Sequence, residues 1–140
     1  MSESPTEQAA ARAAERPMSP FLIWRWHVTM VTSILHRVTG AALYVSALLV
    51  VGWVAALAGG RDAYGAYLGV LGSPVGLVVL VGLTVCLFYH MANGVRHLFW
   101  DFGAGFKPRT ADATAWLVLA VGVIAALAYW AYALLGSRPS

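Results

Sequence analysis

The sequence predicts an all-α membrane protein: three transmembrane helices in an antiparallel bundle, behind an N-terminal arm. Three observations predict it. Of 140 residues, 60% are hydrophobic and 11% charged, where a soluble domain has roughly half and a quarter. The apolar residues gather into three blocks almost free of charge, each long enough for the roughly 20 residues of a membrane-spanning helix. None of the blocks shows the apolar–polar alternation of barrel strands. Too few charges remain to cover a water-facing surface, which excludes a cytosolic enzyme, a disordered chain and a nucleic-acid module.

Each element follows from the chain in order. Residues 1–20 are polar and Ala-rich, with three prolines and Glu3, Glu7 and Glu15. No apolar core follows a basic start, so we expect neither a signal peptide nor a transit peptide but a flexible aqueous arm. Residues 21–140 form the membrane domain, with helices expected at about 29–59, 73–101 and 113–135. The first block closes at Gly59-Gly60, the second carries no acidic or basic residue until Arg96, and the third carries none. Between the first two lies an expected outer loop holding Tyr64 and Tyr67. Gly65–Gly69 and Gly72–Gly76 have the spacing of close helix contacts. The chain is too short for a repeat-built transporter. One cysteine, Cys86, excludes a disulfide framework and a cysteine zinc site.

The net charge is +3, but its placement matters more. Arg12, Arg16 and Arg25 precede the first helix, and Lys107 and Arg109 follow the second. Only Arg61 and Arg138 lie on the other side. The positive-inside rule therefore puts the N-terminus in the cytoplasm and the C-terminus outside. Trp24, Trp26, Trp100 and Phe102 form the expected inner aromatic belt.

Polar residues at membrane depth are costly and mark function. Ser33, His36, Arg37 and Gly40 share one face at the inner end of helix one, at 100° per residue. They form either an interfacial anchor, with Arg37 reaching to headgroups, or a site for a polar or anionic group such as a quinone carbonyl or a cofactor carboxylate. On helix two, His90, Asn93, Gly94, His97 and Asp101 also share a face, while Arg96 points elsewhere. His90 either hydrogen-bonds between helices or ligates haem iron through neutral imidazole. Gly94 would let a flat macrocycle approach the backbone.

Depth sharpens the second alternative. His90 lies eleven residues from Asp101, or about 16 Å inward at 1.5 Å per residue, close to mid-bilayer. His36 is only about 10 Å deep and His97 is shallower. If His90 binds haem, this chain has no ligand of matching depth for the other face, so the second histidine must come from another chain. His36, Arg37 and His97 stand at a level suited to haem propionates.

Two stretches carry a family resemblance. Arg16-Pro17-Met18-Ser19-Pro20 followed by Ser33-Ile34-Leu35-His36-Arg37-Val38-Thr39-Gly40 is similar to the first signature of the cytochrome b subunit of succinate dehydrogenase (respiratory complex II). The run from His90 to Gly103, His-Met-Ala-Asn-Gly-Val-Arg-His-Leu-Phe-Trp-Asp-Phe-Gly, resembles the second. The resemblance covers residues 16–135. It implies a bacterial inner-membrane subunit that anchors flavoprotein and iron–sulfur subunits beside a second membrane-anchor subunit. It implies one haem b shared between the two anchors, with His90 as this chain's axial ligand and His36 near the propionates. It implies a quinone site, for ubiquinone or another quinone, using Ser33 and Arg37. Succinate chemistry falls to other chains, since this one has neither a flavin fingerprint nor cluster cysteines. The chain departs from the family at Phe21, where many members have histidine, and is only loosely similar over residues 23–27. The role of Arg96 stays open, between pairing with Asp101 and contacting a neighbouring subunit.

Alternatives from other classes are a fumarate reductase running in reverse, a cofactor-free anchor, and a small channel. The last is disfavoured because the polar faces stop near mid-bilayer and helix three has none.

Overall fold

The computed structural model describes residues 4–8 and 26–136. Residues 5–8 form one helical turn. Its start is a capping box, in which the Glu7 amide donates to Ser4 Oγ while Glu7 Oε2 accepts from the Ser4 amide. These bonds, the backbone one first, hold the Glu7 carboxyl below its usual range. Ser19, Pro20, Phe21, Trp24 and Arg25 lie outside the described residues.

Four longer helices follow: α1 (Val28–Ala58), α2 (Arg61–Leu71), α3 (Pro74–Asp101) and α4 (Pro108–Gly136). Three of them, α1, α3 and α4, are long and apolar enough to cross a membrane. Their length exceeds the roughly 20 residues needed, so each has about two to three turns beyond the hydrocarbon. The expected three-span, all-α architecture is therefore present, and the described residues contain no strand.

Two boundaries differ from expectation. The segment after α1 is helix, not loop. Gly60, at φ 93°, turns the chain, Asp62 sits in the first turn of α2 where the helix dipole favours an acid, and Tyr67 Oη donates to the Leu49 carbonyl of α1. Gly52 leaves room for that ring, since a Cβ there would stand 3.3 Å from it. Gly65 and Gly69, in contrast, face open space, so their spacing serves no helix contact within this chain. The second difference is α4, which starts at Pro108 instead of about 113. Proline at a first helical position has its φ preset, and the polar Arg109 and Asp112 disguised this turn as loop.

α3 is opened by Ser73, whose hydroxyl accepts from the Gly76 amide at 3.1 Å, with Pro74 following. It is the central helix and touches α1, α2 and α4. Its closest partner is α4, which offers a buried stripe of Ala115, Val118, Gly122 and Ala126. At Gly122 a Cβ would stand 2.8 Å from the Tyr89 Cα, so only glycine permits this backbone approach. α1 buries just Thr32 and Thr39. Most of its apolar side chains, such as Val45, Leu48 and Val51, stay exposed, as expected for faces that meet lipid or another membrane chain.

Candidate functional site

The histidines meet where α1 packs on α3. The His36 and His90 rings are stacked, with centroids 3.9 Å apart and planes 9° from parallel. His97, two turns after His90, is tilted against His36 at 5.1 Å and meets the edge of Trp100 at 5.0 Å. Gly40 allows the His90 ring to come close, because a Cβ there would stand 3.1 Å from its Cε1. Thus one residue of the first polar face is the seat for the main residue of the second.

The hydrogen bonds of His90 settle its tautomer. Nδ1 lies 3.2 Å from the His36 carbonyl and 3.2 Å from Thr39 Oγ1. The carbonyl can only accept. The Thr39 hydroxyl already donates to the Leu35 carbonyl at 2.8 Å, so it too accepts from His90. The proton therefore sits on Nδ1, and Nε2 carries the lone pair. Nε2 makes no hydrogen bond among the described residues. A metal-ligating imidazole typically has this arrangement, with its other nitrogen donating to a carbonyl that fixes ring and tautomer.

His36 offers a second unspent group. Its Nδ1 is buried without a partner among the described residues, and such an atom usually costs about 1–3 kcal/mol unless something bonds it. These features fit an axial haem ligand at His90 and a polar contact to the same group at His36. On the neighbouring side of α1, Ser33 and Arg37 are one turn apart. Arg37 is exposed and Ser33 half-buried, and no hydrogen bond or ion pair of either side chain is present among the described residues. Their donors are free for a ligand. The described residues contain no cluster of three or more metal-binding side chains.

Arg96 points away from the histidine face as expected, and its open role is answered here, whereas Asn93 corrects the sequence expectation. Arg96 does not reach Asp101. It is 5% exposed and lies among three helices. Its Nε donates to Thr114 Oγ1 at 3.0 Å, Nη2 to the Ala111 carbonyl at 3.0 Å, and Nη1 to Thr32 Oγ1 and Asn93 Oδ1, both at 3.4 Å. Trp100 covers the guanidinium carbon at 4.1 Å. Asn93, fully buried, belongs to this cluster and not to the histidine face. Tyr89 Oη extends the cluster by donating to the Thr32 carbonyl at 2.7 Å. A buried guanidinium with only neutral partners clamps α1, α3 and α4 at one end. Its intramembrane depth was a signal in the sequence, but Thr32 and Thr114 on other helices were not. Nearby, His27 Nε2 meets Asp112 Oδ1 at 3.3 Å, joining the starts of α1 and α4.

A family model described as "Succinate dehydrogenase/Fumarate reductase transmembrane subunit" matches residues 12–129. The chain is 32% identical over 117 residues to the succinate dehydrogenase cytochrome b556 subunit of Rickettsia felis, covering 83% of this chain and 91% of that one. It is 32% identical over 120 residues to the cytochrome b556 subunit of Paracoccus denitrificans, covering 85% and 92%. To the human mitochondrial cytochrome b560 subunit it is 38% identical over 100 residues, covering 67% and 57%.

Proposed function

The chain belongs to the succinate dehydrogenase/fumarate reductase transmembrane-subunit family, and from that premise we propose that it is the haem b-binding membrane anchor through which electrons from succinate oxidation reach quinone. In this reading it docks with a second anchor subunit and holds the iron–sulfur and flavoprotein subunits at the bacterial inner membrane. Its N-terminus lies in the cytoplasm, as the basic residues flanking α1 and α3 favour.

The observation that carries the proposal is the state of His90. The ring is fixed by acceptors on Nδ1 and leaves Nε2 free. Haem b supplies a one-electron redox centre when bound. His90 is the residue that would hold it, with Nδ1–H anchored on the His36 carbonyl so that the ligand orientation is set in advance. His36 and His97 would present ring nitrogens to the haem carboxylates, as would Arg37 with its guanidinium.

The quinone chemistry falls to Ser33 and Arg37. Ser33 donates a hydrogen bond to a quinone carbonyl. Arg37 brings a charge that stabilises negative charge building on that oxygen as the quinone is reduced, an effect strengthened where water is scarce. Neither side chain has a competing partner among the described residues. The low-spin, bis-histidine spectrum of haem b in a complex isolated through a tag on this chain tests the proposal. A complex that contains the flavoprotein subunit but no haem would reduce the chain to a cofactor-free anchor.

A further inference from the structure

α3 has a second side that the histidine site does not use. Phe99 lies nine residues after His90, and nine residues at about 100° each come to a half-turn. Phe99 therefore faces away from the histidines. On that side α3 and α4 enclose a groove of about 750 Å³, walled by Phe88, Val95, Phe99, Leu117, Val121 and Ala125. Val95, Phe99, Leu117 and Val121 are each 45–60% exposed, so the groove is open along its side. Its floor is closed by Arg96 and Thr114, which hydrogen-bond each other.

The groove has two different ends. Along α4 it runs from Thr110 to Ala125, about 22 Å at 1.5 Å per residue. That is one leaflet with its headgroup layer, half of the roughly 40–45 Å bilayer. At the deep end Phe88 meets Tyr129, with ring centroids 6.2 Å apart, and the groove stops. A helix from another protein would need a surface running the whole thickness, whereas a single lipid needs one leaflet. At the shallow end Gly105 and Thr110 line the mouth, and Lys107 and Arg109 are their neighbours in the chain. Both cations are exposed and make no ion pair or hydrogen bond among the described residues.

We propose that this groove binds one anionic phospholipid of the leaflet that holds the α3–α4 loop. Its acyl chains lie along Phe99, Val121 and Ala125, and its phosphate meets Lys107 and Arg109. Apolar length selects a lipid, and the two free cations select its charge. The site is separate from the histidine face and does not require haem.

Native mass spectrometry of the complex isolated from membranes tests this, using dioleoylphosphatidylglycerol and dioleoylphosphatidylcholine as probes. The expected result is one phosphatidylglycerol retained after detergent is stripped, in preference to phosphatidylcholine. Lys107→Gln with Arg109→Gln should lower that retention about thirtyfold, the size expected for two lost cations at an anionic headgroup. Val121→Phe with Ala125→Phe should abolish retention of both lipids while the complex keeps its subunits. Equal retention in the wild type and the filled variant would overturn the proposal, as would equal retention of the two lipids by the wild type. A wild-type pair of complexes that the filled variant splits would give the groove to a second copy instead. The Lys107→Gln, Arg109→Gln variant, whose two side chains are exposed and make no ion pair or hydrogen bond among the described residues, keeps the test decisive if the filled variant does not assemble.

Discussion

The His90 ring lies flat against His36 at 3.9 Å while its Nδ1 bonds the carbonyl of that same residue. One residue of α1 thus fixes both the plane and the proton of the proposed ligand. Thr39 shares the proton from one turn away at 3.2 Å. Thr39→Val keeps the shape and removes this acceptor. The expected outcome is haem affinity lowered about tenfold, the lower end for losing a partner of a ligating histidine. Haem titration of the apo complex measures it, and unchanged affinity would show that the His36 carbonyl suffices.

Arg96 supports the fold more than the chemistry. Arg96→Leu removes the donors to Thr114, Ala111, Thr32 and Asn93. It takes the donor from the buried acceptors Thr32 Oγ1 and Asn93 Oδ1, at about 1–3 kcal/mol each before relaxation, while the Ala111 carbonyl keeps the Thr114 hydroxyl. The expected outcome is a large fall in the unfolding midpoint of the complex. Arg96→Lys, with a compact head in place of the planar fork, should recover only part of it. A variant with wild-type thermal stability would contradict the clamp.

Gly122 sets how closely α3 and α4 approach. Its Cβ would lie 2.8 Å from the Tyr89 Cα, so Gly122→Ala must push backbone apart. Overpacking of this kind costs about 1–3 kcal/mol, and Gly122→Leu should cost more. Thermal unfolding of the two variants checks the order. Because Tyr89 adjoins His90 in sequence, a shifted haem spectrum in Gly122→Ala is also expected.

Arg37 and Ser33 separate by charge. Arg37→Leu should reduce quinone reductase activity more than Ser33→Ala, because a hydroxyl cannot replace a guanidinium beside a developing anion. Both should spare succinate oxidation by an artificial acceptor that takes electrons upstream. Measuring the two activities per mole of flavin distinguishes this from an anchoring role. An anchor would lower assembly but leave turnover per assembled complex unchanged.

The three spans were legible in the sequence because lipid demands long runs without charge, and those runs are local. So were the two polar faces, since helical spacing alone places Ser33 with Arg37 and His90 with His97. Features that depend on two helices at once were not legible. The Arg96 clamp needs Thr32 and Thr114, 64 and 18 residues away. Asn93 shares an angular range with His90, yet it turns into that clamp because an arginine beside it needs an acceptor. α2 reads as loop in the sequence because its glycines and polar residues hide a helix held by Tyr67 on Leu49. The α3–α4 groove follows from small residues on α4 that bring the two backbones together.

The central claim is that His90, and not another histidine of this chain, ligates haem. The haem-to-flavin ratio of the isolated complex in His90→Ala and His97→Ala tests it most directly. His90 would lose its bond to iron, whereas His97 would lose at most a contact to a haem carboxylate. The account predicts a ratio near zero, or a five-coordinate high-spin spectrum, for His90→Ala, and a low-spin spectrum with most haem retained for His97→Ala. Equal retention of low-spin haem in both variants would contradict it.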